Sequence, residues 1–314
     1  MNILMVGHNG AGKTSFMAGL YKYLGENKEG YGIRATDNKQ KTQLEMMAKL
    51  LEQGKYPAST DVQQMYKFQL TCKGDDVIPF NWMDYRGGIL LSDDPDDDDM
   101  NMFMAAIQTA DALVVFLDGQ KLVQNTSKWA MEYDILISCI ENSLDIEHQS
   151  WFPICFVITK CDTIPDGATF YGLRHFDSLF EQISESKLVG GMLLQCSINK
   201  NLYIDPFFAL AYCIYGGTPI YVNKRLEAAK AAQRRANYHR PTFIWEKVLG
   251  VGEQIVKELA DFVYLGWETE YEKTWSAESD FKREYEHLQY LQSIADDLKE
   301  KLIDWNEKNY ITTF

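Results

Sequence analysis

The chain has 314 residues, 46% of them apolar and 24% charged. This composition excludes a disordered, collagenous or disulfide-scaffold protein and suits one large domain, or a domain of roughly 200 residues with an appendage. Asp and Glu (45) outnumber Lys and Arg (31), and six Asp between Asp93 and Asp99 carry −6 of the formal net charge of −14; such a chain has no global attraction to a phosphate backbone, so nucleic acid is disfavoured as its main partner.

The first residues, Met1 to Gly7, show neither a basic n-region nor a long apolar h-region. The expectation is no signal peptide and, with no run of 18 apolar residues, no integral membrane segment. The six cysteines include no CxxC pair and are read as reduced thiols of a cytoplasmic protein.

Residues 3–6 form a short apolar run suited to a buried strand. Gly7-His8-Asn9-Gly10-Ala11-Gly12-Lys13-Thr14 follows, and the residues from Ser15 to Tyr21 have helical spacing. This is GxxxxGK[ST] between a strand and a helix. The glycines let the backbone curl until several N–H groups point inward, and those donors together with the helix N-terminus bind phosphates. Lys13 would neutralise the β- and γ-phosphates, and Thr14 would give its hydroxyl to Mg²⁺.

Residues 38–53 read as a helix with Leu44, Met47, Leu50 and Leu51 on one face. A loop, Gly54 to Thr60, leads to an alternating strand at 66–72. Residues 73–76 turn the chain, and Val77 to Trp82 returns it toward Asp84-Tyr85-Arg86-Gly87. Beyond the acidic loop, residues 110–118 read as a buried strand, as do Ile154 to Ile158 before Thr159-Lys160-Cys161-Asp162. A carboxylate at Asp162 can accept from both N1–H and the exocyclic amine of guanine. Adenine lacks that pair of donors, so one aspartate discriminates between the bases. The stem of Lys160 can lie over the base plane.

With the phosphate motif and TKxD in place, the chain resembles the Ras-like, translation-factor-related P-loop GTPases, whose base motif is [NT]KxD. The resemblance covers about the first two thirds of the chain. It implies an α/β fold with a mostly parallel, doubly wound sheet and one antiparallel strand. It implies GTP and GDP as ligands and Mg²⁺ as cofactor. Asn9, Gly10, Ala11, Gly12, Lys13, Thr14 and Ser15 would cradle the phosphates, and Thr159, Lys160 and Asp162 would hold the base. The resemblance also makes Asp84-Tyr85-Arg86-Gly87 the DxxG motif: Asp84 would hold Mg²⁺ through a water, and the Gly87 N–H would meet the γ-phosphate. Cys196-Ser197-Ile198 would bring the backbone of Ser197 and Ile198 to the guanine O6. The switch threonine is assigned to Thr60, with Ser59 as the alternative. Metal ligation thus falls to Thr14, Thr60 and Asp84, and catalysis to Lys13, Thr60, Asp84 and Gly87.

The sequence departs from this pattern after DxxG, where Gly88 stands in place of the Gln that orients water in many members. Slow intrinsic hydrolysis is therefore expected, raised by a protein partner or a second copy. Asn9 and Arg86 are the nearest side chains to take the role; the bland reading of Arg86 is a surface ion pair. The alternative is a GTP-binding assembly module that barely hydrolyses. The bland reading of His8 is that its backbone matters and its ring points away. The acidic loop admits three readings: a solvated segment, a cation site, or a latch on the basic stretch 224–240.

Residues 202–215 read as the last helix of the GTPase pattern, ended by Gly216-Gly217-Thr218-Pro219. The division expected is a GTPase domain at 1–221 and a helical hairpin or small bundle at 222–314. Its last helix carries Phe281, Tyr285, Leu288, Leu291, Ala295, Leu298 and Leu302 on one stripe, with Trp305 beyond. This region is either a packing appendage or an arm that binds an effector or a second copy.

Overall fold

The computed structural model describes residues 1–25, 30–58, 63–85, 98–144, 151–165, 167–197, 206–235, 279–308 and 311–314. In chain order the elements are β1 (Asn2–Val6), α1 (Lys13–Gly25), β2 (Tyr31–Ala35), α2 (Asn38–Glu52), β3 (Gln64–Cys72) and β4 (Asp75–Asp84). Then come α3 (Asp98–Thr109), β5 (Ala112–Asp118), α4 (Gly119–Gln124), α5 (Ser127–Leu144), β6 (Phe152–Thr159) and α6 (Asp177–Glu185). The series ends with β7 (Val189–Gln195), α7 (Phe207–Arg235), α8 (Ser279–Glu307) and β8 (Ile311–Thr313).

The strands form one sheet in the order β2-β3-β4-β1-β5-β6-β7-β8. β1 pairs parallel with β4 and β5, and the parallel run continues through β6 and β7. β3 is antiparallel to both its neighbours, as expected of the one reversed strand. The short β8 adds a second reversed strand at the far edge, against β7.

The central strands are apolar on both faces because both faces are covered. In β5, Ala112, Val114 and Phe116 join one core while Leu113, Val115 and Leu117 join the other. The first core contains Phe16 and Leu20 of α1, Leu44 of α2, residues 207–214 of α7 and Leu291, Leu298 and Trp305 of α8. The second contains Phe103 of α3, Tyr133 and Leu136 of α5 and Leu179 of α6. The sheet is thus doubly wound, and its strand order reverses at β1. The carboxyl end of β1 opens on the crevice where ligands enter such sheets.

Helix α7 does not stop at Tyr215; it continues through Gly216, Gly217, Thr218 and Pro219. The two glycines serve packing. A Cβ on Gly216 would lie 2.2 Å from the Trp151 ring, and one on Gly217 would lie 2.2 Å from Met1 Cε. Thr218 Oγ1 donates to the Ile214 carbonyl at 2.6 Å, which binds the turn next to the proline. The boundary expected at 221/222 falls inside this helix.

The stripe expected on the last helix is buried at Leu291, Ala295, Leu298 and Leu302, the side chains of Phe281, Tyr285 and Leu288 lie outside those described, and Trp305 stacks on Phe208 with centroids 3.8 Å apart. Tyr31 on β2 donates to Asp297 of α8 at 2.6 Å, and Tyr290 donates to the Cys72 carbonyl at 3.1 Å. All six cysteines are free, and only Cys161 is partly exposed. No helix among the described residues is long and apolar enough to cross a membrane.

Candidate functional site

The loop after β1 passes hard against β5. A Cβ on Gly7 would lie 2.7 Å from the Phe116 carbonyl oxygen, so only glycine fits. Gly12 sits at φ +90°, in the left-handed region, and its missing side chain faces Thr159. The Phe16 N–H bonds the Gly12 carbonyl at 2.8 Å, which starts α1. The loop therefore ends on a helix N-terminus, where orphan N–H groups and the helix dipole favour an anion.

Lys13 is 7% exposed, and its Nζ donates to the carbonyls of Gly7 at 2.7 Å and His8 at 3.3 Å. Burial pushes its pKa down from 10.5 to about 8, opposed by the charge of Asp84. Thr14 Oγ1 donates to Asp84 Oδ2 at 2.9 Å. Asp84 ends β4, fully buried, in register with Met5 of β1 on one side and Gln64 of β3 on the other. The sheet thus fixes this carboxylate beside the first turn of α1.

At the other end of the crevice, Thr159 Oγ1 donates to the Ala11 carbonyl at 2.8 Å and to Leu117 at 3.2 Å. One buried hydroxyl ties the base motif to the phosphate loop and to β5. Lys160 takes a left-handed conformation (φ +58°) and its Nζ donates to Asp118 Oδ2 at 2.6 Å. The other oxygen of Asp118 caps α4 by accepting from the Gln120 N–H at 3.0 Å. Asp162 lies in a short 3-10 turn, Cys161–Thr163. The Cys196 N–H bonds the Ile158 carbonyl at 2.7 Å, and the Cys161 N–H bonds the Cys196 carbonyl at 3.4 Å, so the end of β7 is joined to the base motif. Burial pushes the Cys161 thiol up to about 11, which keeps it protonated near neutral pH.

These parts line one cleft of about 430 Å³. Residues 9–15 line its phosphate end, and Thr159, Lys160 and Asp162 line the other. Ser197 is buried beside Cys196 and is not among the lining residues. Of the residues expected in the site, Thr60, Gly87 and Ile198 lie outside the described residues, as do Ser59, Arg86 and Gly88. The backbone of Asp98 and Asp99 opens α3, and the remainder of the acidic loop lies outside the described residues, as does most of the basic stretch 224–240 beyond the backbone of α7. His8 follows the bland reading: its carbonyl meets Lys13, and its ring turns to α5.

Sequence reasoning missed Tyr56 and Tyr85, which also line the cleft, and Asp118, which holds Lys160. Tyr85 is fixed by Gln63, whose amide donates to its hydroxyl at 2.8 Å. The signal for Asp118 was its place at the end of a buried strand, where it pairs in register with Thr159.

The donor set suits a hard cation. A hydroxyl and a carboxylate converge at Thr14 and Asp84, and both offer oxygen. No cluster of three or more His, Cys, Asp or Glu forms among the described residues.

No curated protein matches the sequence. Among solved structures, the chain is similar to a bacterial selenocysteine-specific elongation factor EF-Sec, at 12% identity and a TM-score of 0.34 over 63% of this chain and 25% of that one. It thus spans about a quarter of that factor's length. It is also similar to the signal recognition particle receptor SRb-GTP/SRX complex from Chaetomium thermophilum, at 14% identity and a TM-score of 0.39 over 63% of this chain and 90% of that one. The Double-GTPase 2 family matches residues 2–188, a span that runs from β1 to the turn before β7 and takes in the phosphate loop, Asp84 and the base motif. The chain belongs to the Double-GTPase 2 family.

Proposed function

We propose that the protein binds GTP with Mg²⁺ in this cleft, hydrolyses it slowly to GDP and phosphate, and works as a nucleotide-controlled switch. The observation that carries the reading is that the phosphate loop and the base motif line two ends of one cleft. Family membership supports guanine nucleotide as the ligand.

In this reading the backbone N–H groups of residues 10–15 and the N-terminus of α1 hold the phosphates. Lys13, already beside the loop, neutralises the β- and γ-phosphates. Thr14 and Asp84 would hold Mg²⁺, joined by Thr60 from the segment before β3. Bound there, the metal supplies positive charge to the phosphate oxygens. Asp162 accepts from guanine N1–H and the exocyclic amine. Asp118 keeps Lys160 stretched beside the base, and Thr159 keeps the loop against β6. The backbone of Ser197 and Ile198 meets the guanine O6, and the Gly87 N–H meets the γ-phosphate.

A water attacks the γ-phosphorus and gives up a proton to the phosphate formed or to solvent, while the bond from that phosphorus to the bridging β-phosphate oxygen breaks and leaves its electron pair on GDP. Gly88 has no side chain to orient the water, so the rate is slow until a partner protein or a second copy, engaging the switch segments or the C-terminal helices, supplies the missing group.

The test is phosphate release from GTP or ATP with Mg²⁺, using Lys13→Ala as the blank. GTP-selective turnover above the blank is the expected result, and an Asp162→Ala variant should lose the preference for guanine. No turnover despite confirmed GTP binding would replace the slow enzyme with the assembly module that scarcely hydrolyses.

A further inference from the structure

The His8 ring leaves the phosphate loop on the side away from the cleft, into a nearly closed space (5% exposed). Its Nε2 lies 2.7 Å from the Glu132 carbonyl oxygen of α5. A carbonyl only accepts, so Nε2 carries a proton. Among the described residues its Nδ1 has no hydrogen-bond partner, and it faces the Glu132 carboxylate at 3.7 Å. That carboxylate is occupied from the other side: Lys121 of α4 donates to the same oxygen, Oε2, at 3.0 Å, and lies over the Trp129 ring at 3.9 Å. The charged groups facing the ring are therefore Glu132 from α5, Lys121 from α4 and Lys13 from α1. Burial, Lys121 and Lys13 push the imidazole pKa down, and the Glu132 carbonyl and carboxylate pull it up. The net direction is down, which leaves a neutral ring with the proton on Nε2.

We infer that His8 is a positioning residue: its ring pins the first half of the phosphate loop to α5, and the Lys121–Glu132 ion pair holds the surface on which the ring rests. The inference rests on the reading of the cleft as a guanine nucleotide site. Its force comes from chain connectivity. Lys13 is anchored on the carbonyls of Gly7 and His8, and Asn9 and Gly10 follow directly into the cleft. A shift of the ring therefore moves both the anchor of Lys13 and the donors next to it. A protonated ring would be drawn through Nδ1 toward the carboxylate, in competition with Lys121, and would drag the loop with it.

GDP binding with Mg²⁺ tests the inference. His8→Ala should weaken GDP about tenfold, the effect of one buried hydrogen bond. His8→Gln, whose amide can donate to the same carbonyl, should recover most of the loss. A His8→Ala protein that melts lower but binds GDP like wild type would reduce His8 to a packing residue and overturn the inference. Lys121→Met gives a second test. It leaves the Glu132 carboxylate without its cation, so the ring gains a proton within the range of about pH 5–8 in which histidine responds. GDP affinity should then fall on the acid side, and the fall should vanish in Lys121→Met/His8→Gln. Attraction between a charged ring and phosphate would instead tighten binding in acid. A flat or rising profile thus overturns the inference.

Nitrogen NMR of the His8 ring in nucleotide-free protein separates this from a failure of the nucleotide reading. Wild type should show Nε2 protonated and Nδ1 bare, and Lys121→Met should show Nδ1 gaining a proton. The opposite tautomer in wild type would sink the strut whether or not GDP binds.

Discussion

Lys13 is held in a state that costs it solvation. Its ammonium gives up water for two carbonyls, and burial lowers its pKa to about 8 against the pull of Asp84. A polyphosphate arriving at the helix N-terminus restores the preference for the charged form. Bound protein therefore keeps the proton, while free protein loses it above about pH 8. Nucleotide affinity should therefore fall as pH rises past about 8, by up to about tenfold per unit. Calorimetric titration of GDP between about pH 7 and 9.5 reads this directly, and a flat profile would mean that burial does not set this lysine. The lining of the candidate site was legible where it is contiguous in sequence, in residues 9–14 and 159–162. The strand that ends at Asp118 was legible, but the roles of Asp118 and Glu132 were not. Their roles depend on which strand lies beside β6 and which helix backs the loop, and neither neighbour is nearby in sequence.

At the scale of elements, the reading failed where a residue's usual local meaning was overruled by a neighbour. Gly216-Gly217 followed by Pro219 reads as a helix stop, yet α7 runs through it, because Trp151 and Met1 occupy the space that side chains would fill. β2 escaped notice as a short edge strand, and β8 has only three residues, too few for an alternation to register. The glycine reading is testable by contrast. In an open helix, Gly→Ala stabilises by about 0.5–1 kcal/mol. Gly216→Ala should instead destabilise by about 1–3 kcal/mol, since the obstacle is a rigid indole ring. Gly217→Ala should cost less, because the obstacle there is the flexible end of Met1. Urea unfolding of both variants decides it, and a stabilised Gly216→Ala would show that the Trp151 ring does not crowd the helix there.

For the molecule as a whole, the question is whether its C-terminal part stands apart from the sheet. The expected division at 221/222 rested on a pattern that was complete before α8. In the fold, α8 lays Leu291, Leu298 and Trp305 into the same core as Phe16 and Leu20 of α1, the helix that begins at Lys13. The Tyr31–Asp297 bond joins it to one side of the sheet. β8 extends the other, where the Phe314 and Gly191 backbones exchange hydrogen bonds of 2.7 and 2.9 Å. Elements that share a core and a sheet unfold together. Trp305→Ala removes a ring stacked on Phe208 and should cost about 3–5 kcal/mol. That loss should appear as one transition moved down as a unit, followed equally by far-ultraviolet dichroism and by retention of bound GDP. A helical signal that melts early while GDP stays bound would establish the C-terminal region as a separate unit. Coincident melting would make it part of the body on which the nucleotide site is built.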